Sequence, residues 1–271
     1  MTDMKRRQFI KRIVQAGAVV SASALSADRV TGANDRVRVG LIGCGGRGML
    51  VARLMREAPN VEFVAVCDLY PPHLARAKEW AGSLAKEYKD FRRLLEQKDL
   101  DAVRIATPDH WHAIPTVLAC QAGKDVYVEK PLAHNIKEGG AMVAAARRHN
   151  RIVQMGTQQR SAPHYAEVAR IIQSGALGPV HFVRIWNYTN MSAEDATGLH
   201  VKNFIECVRT RNRPVADVET GHRSTIVAHL GNIAFRTGRK IHRHTAKEEI
   251  VGAPETSKLL GRPARKPWDM I

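Results

Sequence analysis

The chain has 271 residues, of which 44% are hydrophobic and 25% charged, and this composition excludes collagen-like, disordered and polytopic membrane proteins. Its four cysteines form no Cys-x-x-Cys pair, so the sequence predicts neither a zinc site nor a disulfide framework. The net charge of +16 is spread along the chain in short basic runs, with only 6% aromatic residues, so we expect no nucleic-acid partner.

The first segment has the pattern of an export signal. A basic stretch containing Arg6 and Arg7 precedes an apolar stretch, residues 13–27, which ends in small residues. This stretch is too short to span a bilayer of about 30 Å as a helix, so we expect no stable membrane insertion after export. We predict a twin-arginine signal peptide with a short arm at residues 1–33, and a periplasmic or other extracytoplasmic location. The alternative is a soluble amphipathic helix with adjacent arginines.

A glycine-rich turn follows the first predicted strand and precedes a predicted helix. Its pattern, G-x-G-x-x-G between a strand and a helix, is the fingerprint of dinucleotide binding. Gly43 permits a tight turn, Gly45 lets the backbone approach a pyrophosphate, and Gly48 lets the helix pack closely on the strand. A glycine turn of another α/β protein, or a methyltransferase-type nucleotide site, remains the alternative. The predicted cofactor-binding residues of the turn are Gly43, Gly45, Gly46, Arg47 and Gly48.

An acidic residue follows the second predicted strand, residues 61–67. Asp68 is placed to accept hydrogen bonds from the ribose hydroxyls of a dinucleotide. The Leu-Tyr-Pro-Pro segment after it offers no arginine for a 2′-phosphate. The sequence therefore favours NAD, with NADP as the possible alternative.

Helix and strand patterns alternate up to residue 155, which predicts an α/β fold with a Rossmann-type, doubly wound parallel sheet. We place this domain at residues 34–155 and a second domain at residues 156–271. Arg104 interrupts an apolar strand, and the sequence leaves open whether it snorkels or marks a damaged core. Further helices are predicted at 72–88, 91–97, 113–122 and 136–149, and further strands at 102–106, 125–128 and 152–155.

Several motifs together resemble the glucose-fructose oxidoreductase and inositol dehydrogenase family (Gfo/Idh/MocA). The resemblance implies a Rossmann domain followed by an open antiparallel-sheet domain, with NAD(P)-linked chemistry on sugars, polyols or related carbohydrates between them. A homo-oligomer is compatible with this interpretation. The motifs are residues 43–48, 107–112, 129–131, 156–161, 222–224 and 262–268.

The resemblance implies that Lys130 of the Glu-Lys-Pro motif is the catalytic residue. Its position supports this role independently, because ligands bind beyond the carboxyl ends of parallel strands and an amine there can exchange a proton with a substrate hydroxyl. A surface lysine at a strand end is the alternative.

The His-x-His pair of the 107–112 segment has no further ligands around it, so we predict no metal. The matching segments imply cofactor contacts for Thr107, Pro108, His112 and Glu129, and substrate contacts for Gln158 and Arg160.

The second domain is predicted to be a truncated α+β, antiparallel-sheet domain. One strand, residues 179–188, precedes two helices, 200–208 and 225–237, which in the family lie near the carboxyl end of the chain. The resemblance therefore implies that the central part of the substrate domain is absent. The absent part would include the family's second catalytic group, which is a histidine in an Asp-x-x-x-His segment. We find no match to that segment in this sequence. We assign His200, His222 and His229 to packing and helix ends, and we expect the tail to wrap a surface through Leu259, Leu260 and Trp268.

Three functional hypotheses follow. The leading one is an exported NAD(P)-dependent oxidoreductase that transfers hydride to or from a small carbohydrate. The second is an NAD-dependent glycoside hydrolase that oxidises a sugar transiently, so that elimination and rehydration break the glycosidic bond. The third is a catalytically incomplete protein that binds NAD.

Overall fold

A computed structural model describes residues 36–182, 193–245 and 247–269. The predicted signal peptide and most of the predicted strand 179–188 lie outside these ranges. Within them, no helix is long and apolar enough to cross a membrane.

Six strands of the described chain form one parallel sheet. They are β1 (Val37–Ile42), β2 (Val61–Cys67), β3 (Lys86–Tyr88), β4 (Ala102–Ile105), β5 (Asp125–Glu129) and β6 (Val153–Gly156). The order across the sheet is β3-β2-β1-β4-β5-β6, so the direction of winding reverses between β1 and β4. In such sheets, ligands bind beyond the carboxyl ends of the strands at this point of reversal.

Helices connect these strands and continue beyond them. Those between strands are α1 (Gly46–Arg56), α2 (Pro71–Ala81), α3 (Phe91–Leu95), α4 (Ala113–Gln121) and α5 (Ile136–Arg148). Those described after β6 are α6 (Pro163–Gln173), α7 (Ala193–Thr210), α8 (Val218–Thr237) and α9 (Pro254–Ser257). A separate antiparallel pair is formed by β7 (Arg243–His244) and β8 (Glu249–Ile250). The predicted fold class, a doubly wound Rossmann sheet followed by a domain with an antiparallel sheet, is confirmed.

One predicted element is wrong in the first half of the chain. The helix predicted over residues 72–88 ends at Ala81, and residues 86–88 form the edge strand β3 instead. Gly82, at φ +101°, leaves the helical conformation, and its N–H donates to the carbonyl oxygen of Lys78 as the helix ends. The Lys-Glu-Tyr sequence of β3 is short, and two of its three residues are exposed, so it carries no apolar pattern from which a strand could be predicted.

The two faces of the sheet are covered by different helices. Alternate residues of β4 and β5, such as Val103 and Val126, pack with α4 and α5, whereas Leu41 and Tyr127 belong to the cluster on the opposite face. The opposite face is covered by α1 and by α7, a helix from far along the chain. Residues beyond 156 therefore complete the core of the sheet, and the domain boundary after residue 155 stays a prediction.

Helix α7 is held to the sheet by apolar contacts and by an ion pair. Val201, Phe204 and Ile205 are at most 1% exposed, and the Phe204 ring lies edge-on to Tyr127 with centroids 5.7 Å apart. At its carboxyl end, Arg211 binds both carboxylate oxygens of Asp125, the first residue of β5. A bidentate ion pair of this kind fixes the end of the helix on the sheet.

His200 ties α7 to the segment that follows β6. Its side chain is fully buried, with Nδ1 2.7 Å from the Ser161 hydroxyl oxygen and Nε2 2.9 Å from the Met155 carbonyl oxygen. Burial lowers the pKa of His200 to about 4, so the ring is neutral at pH 7. Because a carbonyl only accepts, Nε2–H donates to Met155 and Nδ1 accepts from Ser161. This is a packing role, as the sequence predicted.

The tail lies on the first half of the chain through its apolar side chains. Leu260 is buried, Leu259 packs against the same small cluster as Ile136, and Trp268 lies edge-on to Trp111 with centroids 4.9 Å apart. The predicted anchoring of the tail by these residues is confirmed.

Replacing Phe204 by Ala tests whether α7 is part of the Rossmann core. Loss of a fully buried aromatic ring should lower the free energy of unfolding by about 3–5 kcal/mol and keep a single transition in urea. The control is Leu199→Ala in the same helix, where the side chain is 45% exposed and the loss should stay below about 1 kcal/mol. Equal losses in the two variants would contradict the packing described.

The pH dependence of stability tests the environment of His200. Since its pKa is 6.5 unfolded and about 4 folded, its contribution is fully present above pH 6.5 and is lost as the pH falls towards 4, by up to about 3 kcal/mol. Urea unfolding between pH 7 and 4 should show a shallower decline in His200→Gln. The exposed His164→Gln serves as control and should follow the unaltered chain. Parallel curves for the unaltered chain and His200→Gln would show that His200 is not a buried neutral residue.

Candidate cofactor and active site

The glycine-rich turn between β1 and α1 contains two close contacts that exclude any side chain. Gly43 has φ +89°, and a Cβ atom built there would lie 2.6 Å from the carbonyl carbon and oxygen of Ala106. A Cβ atom on Gly48 would lie 2.1 Å from the Gly43 carbonyl oxygen. These two glycines therefore fix how α1 leaves the sheet, in agreement with the roles predicted for them.

The other two glycines of the turn face open space. A Cβ atom on Gly45 would meet nothing closer than His73 Cε1 at 3.7 Å, and one on Gly46 would have no neighbour within 4 Å. Gly45 is the N-cap of α1 and supplies no side-chain cap, and the first turn holds no acidic residue. The N–H groups of the first turn of α1, which have no partner within the helix, and the positive end of the helix dipole can therefore receive an anion in the open space at Gly45 and Gly46.

Asp68 holds the glycine-rich turn in place. Its carboxylate accepts from the Cys44 N–H at 2.7 Å and from the Tyr70 N–H at 2.8 Å, and it lies 3.7 Å from His73 Nδ1. The side chain is 14% exposed, so both oxygens retain capacity for a further donor such as a ribose hydroxyl. Asp68 therefore has a structural role in the turn, and its contact with a ribose stays a prediction.

Helix α2 brings two further residues to this place that the sequence analysis did not identify. His73 lies beside Asp68 and beneath the space at Gly45, and Arg76 donates to the Cys44 carbonyl oxygen at 3.2 Å. Both lie within the first two turns of the helix that follows Asp68. A search for polar residues in those two turns would have found them.

Arg47, Arg104 and Glu129 form a charge cluster beside α1, which we call the guanidinium cluster; Arg104 and Glu129 are buried, whereas the Arg47 side chain is 38% exposed. Arg47 Nε donates to Glu129 Oε1 at 3.2 Å, and Arg104 Nη2 donates to the same oxygen at 2.8 Å. Arg104 is fully buried and also donates to the Arg47 carbonyl oxygen at 3.1 Å. It therefore neither snorkels to solvent nor leaves a defect, because its charge is paired in the core.

The loops after β4 and β5 are joined by His112. The His112 ring is 2% exposed, with Nδ1 2.7 Å from the Pro131 carbonyl oxygen and Nε2 2.9 Å from the Thr107 carbonyl oxygen. Thr107 donates to the Trp111 carbonyl oxygen at 3.0 Å, and Pro108 caps the short turn between them. Thr107 lies on the same loop as His112, so the Nδ1 contact with Pro131 is the one that joins the two loops. Because both partners are carbonyl oxygens, a neutral ring donates to one of them only. Thr107, Pro108 and His112 shape this edge of the site.

Lys130 is exposed at the carboxyl end of β5 and lines an open groove with a volume of about 650 Å³. Gln158 and Arg160 line the same groove, so the structure brings the predicted catalytic residue and the predicted substrate residues together. Gln158 Nε2 donates to the Tyr127 hydroxyl at 2.9 Å, and Arg160 Nη2 donates to Ser224 Oγ at 2.7 Å. The same groove is also lined by apolar residues, which are Tyr165, Val168, Ala169 and Ile172 of α6 with Val215.

The remaining candidate groups have structural partners. His222 Nε2 lies 3.0 Å from Glu248, and His229 Nε2 lies 3.1 Å from the Ala133 carbonyl oxygen. The four cysteine thiols are free and buried. Across the described ranges, no group of three or more His, Cys, Asp or Glu side chains could hold a metal ion.

Comparison with known families gives two matches. Residues 37–157 match the family described as "Oxidoreductase family, NAD-binding Rossmann fold". Residues 183–270 match the one described as "Oxidoreductase family, C-terminal alpha/beta domain". Both belong to the Gfo/Idh/MocA group, and together they cover most of the chain.

Individual relatives match about half of the chain. The uncharacterized oxidoreductase YrbE of Bacillus subtilis is 32% identical over 152 residues, 55% of this chain and 44% of that protein. A glycosyl hydrolase family 109 protein of Stenotrophomonas maltophilia is 38% identical over 140 residues, 48% of this chain and 30% of that protein. An inositol 2-dehydrogenase of Salmonella paratyphi B is 33% identical over 144 residues, 52% of this chain and 43% of that protein. The chain thus spans less than half the length of each of these relatives.

The sheet order, the glycine contacts and the two family matches agree with one another. The chain belongs to the Gfo/Idh/MocA oxidoreductase family, and its first half is an NAD-binding Rossmann domain.

Proposed function

We propose that the protein is an NAD-dependent oxidoreductase that acts on a polyol, a sugar or a related small carbohydrate. The observation that carries this proposal is the open space over Gly45 and Gly46, at the uncapped first turn of α1 and at the same sheet edge as Lys130. A dinucleotide needs close approach of backbone to pyrophosphate at this point, and the residues present permit it.

Different residues of the chain would bind different parts of the dinucleotide. The first turn of α1 would hold the pyrophosphate through backbone N–H groups, and Asp68 would accept from the adenosine ribose hydroxyls. Thr107, Pro108 and His112 would form the wall near the nicotinamide. When bound, NAD supplies the hydride acceptor or donor for the reaction.

Lys130 is placed to handle the proton of the reaction. Its exposed amine lies in the groove with Gln158 and Arg160, which offer an amide and a guanidinium to orient hydroxyl groups. Oxidation of an alcohol requires that the hydroxyl proton leaves as the hydride departs from carbon, and reduction requires the reverse. The Lys130 amine can accept or donate that proton at Nζ.

The substrate class is proposed from the relatives. Similar proteins include the inositol 2-dehydrogenase of Salmonella paratyphi B, and Gln158 and Arg160 offer polar groups to a hydroxylated ligand in a groove that is otherwise mostly apolar. A second candidate is NAD-dependent glycoside hydrolysis, which the match to a glycosyl hydrolase family 109 protein favours. Release of free sugar without net NADH would distinguish it from an oxidoreductase.

A third candidate is an NAD-binding protein without turnover. We propose that the central part of the family's substrate domain is missing from this chain. Two observations support it: α6 has no buried residue in the described structure, and Tyr165, Val168 and Ile172 of that helix are each at least 50% exposed. Tight NAD binding with no turnover on any polyol or sugar would favour this candidate.

We further propose export by the twin-arginine route, supported by the adjacent Arg6 and Arg7 before an apolar stretch with small residues at its end. Replacing both arginines by Lys should retain the protein in the cytoplasm of a host that has this export system. Export that persists in this variant would contradict the proposal.

A Gly45→Ala variant tests whether the space over the turn belongs to the cofactor. Gly45 has φ −67° and ψ −174°, which Ala adopts freely, and the new methyl would have only ordinary contacts. Stability should therefore stay within about 1 kcal/mol, while crowding of the pyrophosphate should weaken NAD binding about tenfold or more in calorimetry. The matched control is Gly231→Ala in α8, which also has open space and should leave NAD affinity unchanged. Unchanged affinity in Gly45→Ala would place the dinucleotide elsewhere.

A Lys130→Ala variant tests the catalytic assignment. NAD affinity should stay within a few-fold, because the amine is assigned to substrate chemistry, while turnover of a polyol that the unaltered chain oxidises should fall by about a hundredfold or more. Absorbance of NADH reports the turnover. The exposed Lys240→Ala serves as the matched control and should keep full activity. A large loss of NAD affinity instead would show that Lys130 binds the cofactor.

A further inference from the structure

Tyr127 is a fully buried polar residue to which the proposed reaction assigns no role. It is the third residue of β5 and lies three positions before Lys130 in the chain. Its ring lies edge-on to His200 and Phe204, with centroids 5.8 and 5.7 Å apart, and the Arg104 guanidinium carbon is 5.7 Å from the ring centroid. Packing of this kind holds the ring, and with it the hydroxyl oxygen, in one position.

A single hydrogen bond connects the Tyr127 hydroxyl to the groove. Gln158 Nε2 donates to this hydroxyl at 2.9 Å, and Gln158 lines the groove together with Lys130. Within the described ranges, the Gln158 amide makes no other hydrogen bond, so its Oε1 atom can accept one from a ligand. The position of the Gln158 amide is therefore set by a residue that lies beneath the groove.

The nearby Glu129 carboxylate decides which end of the amide faces Tyr127. A tyrosine hydroxyl both donates and accepts, so the bond alone would permit either end. A Cβ atom on Gly156 would lie 3.1 Å from Gln158 Nε2 and 3.2 Å from Glu129 Oε2, so both atoms border the same small space. A carboxylate attracts the N–H end of an amide dipole and repels its carbonyl end. The nitrogen therefore faces inward, and Oε1 is left for the groove.

The Tyr127 hydroxyl stays protonated at neutral pH. Burial, followed by the Glu129 charge, raises the pKa of this hydroxyl above its ordinary value. The hydroxyl oxygen therefore accepts from Gln158 as a neutral group, and the bond does not depend on the pH near 7.

We propose that Tyr127 is a positioning residue for the substrate, which holds the Gln158 amide so that Oε1 accepts a hydrogen bond from a substrate hydroxyl. This inference rests on the proposed function and narrows its substrate class. The hydroxyl bound by Gln158 is distinct from the one that exchanges its proton with Lys130, so the substrate carries at least two hydroxyl groups. An amide that is already held in place loses less conformational freedom when the substrate binds, which increases the affinity.

A Tyr127→Phe variant removes the hydroxyl and keeps the ring. Polyol affinity should fall about three- to tenfold, because the Gln158 amide is no longer held. NAD affinity and kcat should stay within about twofold, since neither the glycine-rich turn nor Lys130 is altered. A disturbance of β5 would instead displace Lys130 and lower kcat together with polyol affinity.

The experiment measures the binding of myo-inositol and of D-glucose to the full chain with NADH present, by calorimetry, so that affinity is obtained with or without turnover. Values of kcat and KM with NAD follow for the probe that is oxidised. A double-mutant cycle with Gln158→Leu shows whether Tyr127 acts through Gln158. In the Gln158→Leu background, Tyr127→Phe should cause no further loss of affinity.

Tyr88→Phe is the matched control. Tyr88 is also bonded to a glutamine, because its hydroxyl donates to Gln97 Oε1 at 3.1 Å, but it belongs to the edge strand β3. Its removal should change the affinity for either probe by less than about twofold.

Four results would overturn the inference alone. They are unchanged probe affinity in Tyr127→Phe, an equal loss from Tyr127→Phe with and without the Gln158 amide, a parallel fall in kcat or NAD affinity, and failure of Tyr127→Phe to melt cooperatively. Each would show that Tyr127 has a structural role only or none in substrate binding. If the unaltered chain binds neither probe in the presence of NADH, the proposed function falls together with this inference.

Discussion

The contact between Gly48 and the Gly43 carbonyl oxygen is the constraint on which the site depends. A single methyl group at residue 48 would lie 2.1 Å from that oxygen, so α1 can leave the sheet at this angle only with glycine there. The contact points the amino end of α1 at the sheet edge where the direction of winding reverses. The N–H groups of the helix, the Asp68 carboxylate and the loop containing Lys130 converge there, because the carboxyl ends of parallel strands share one edge.

Interactions between loops keep this edge in shape. Asp68 holds the glycine-rich turn, His112 joins the loops after β4 and β5, and His200 holds the segment after β6. In each case a polar side chain hydrogen-bonds to backbone groups of a loop. These bonds hold the loop in place although the loop contains no strand or helix. These three side chains fix loops at the sheet edge where Gly45 and Gly46 leave open space.

The sequence predicted the parts of the molecule that local rules govern. A strand, a G-x-G-x-x-G turn, a helix and an acid lie close together in the chain, and the structure gives Gly43 and Gly48 the close contacts expected of them. The sequence could not reveal the role of Arg104, because its partner Glu129 is 25 residues away on another strand. Nor could it show that α7 packs on the sheet, because an amphipathic pattern indicates which face of a helix is buried but not which element that face packs against. The short strand β3 was predicted as helix because its three residues show no apolar alternation.

The packing of α7 bears on how a shortened second domain would affect the protein. Phe204 and its apolar neighbours in that helix cover Tyr127, and Arg211 at its carboxyl end holds β5 through Asp125. The strand that ends in Glu129 and Lys130 thus depends on residues far along the chain. If the central substrate segment is missing, as we propose, the helix that covers the cofactor half is nevertheless present. We therefore expect cofactor binding to persist without a complete substrate domain, because α7 covers the cofactor half through its own contacts with Tyr127 and Asp125.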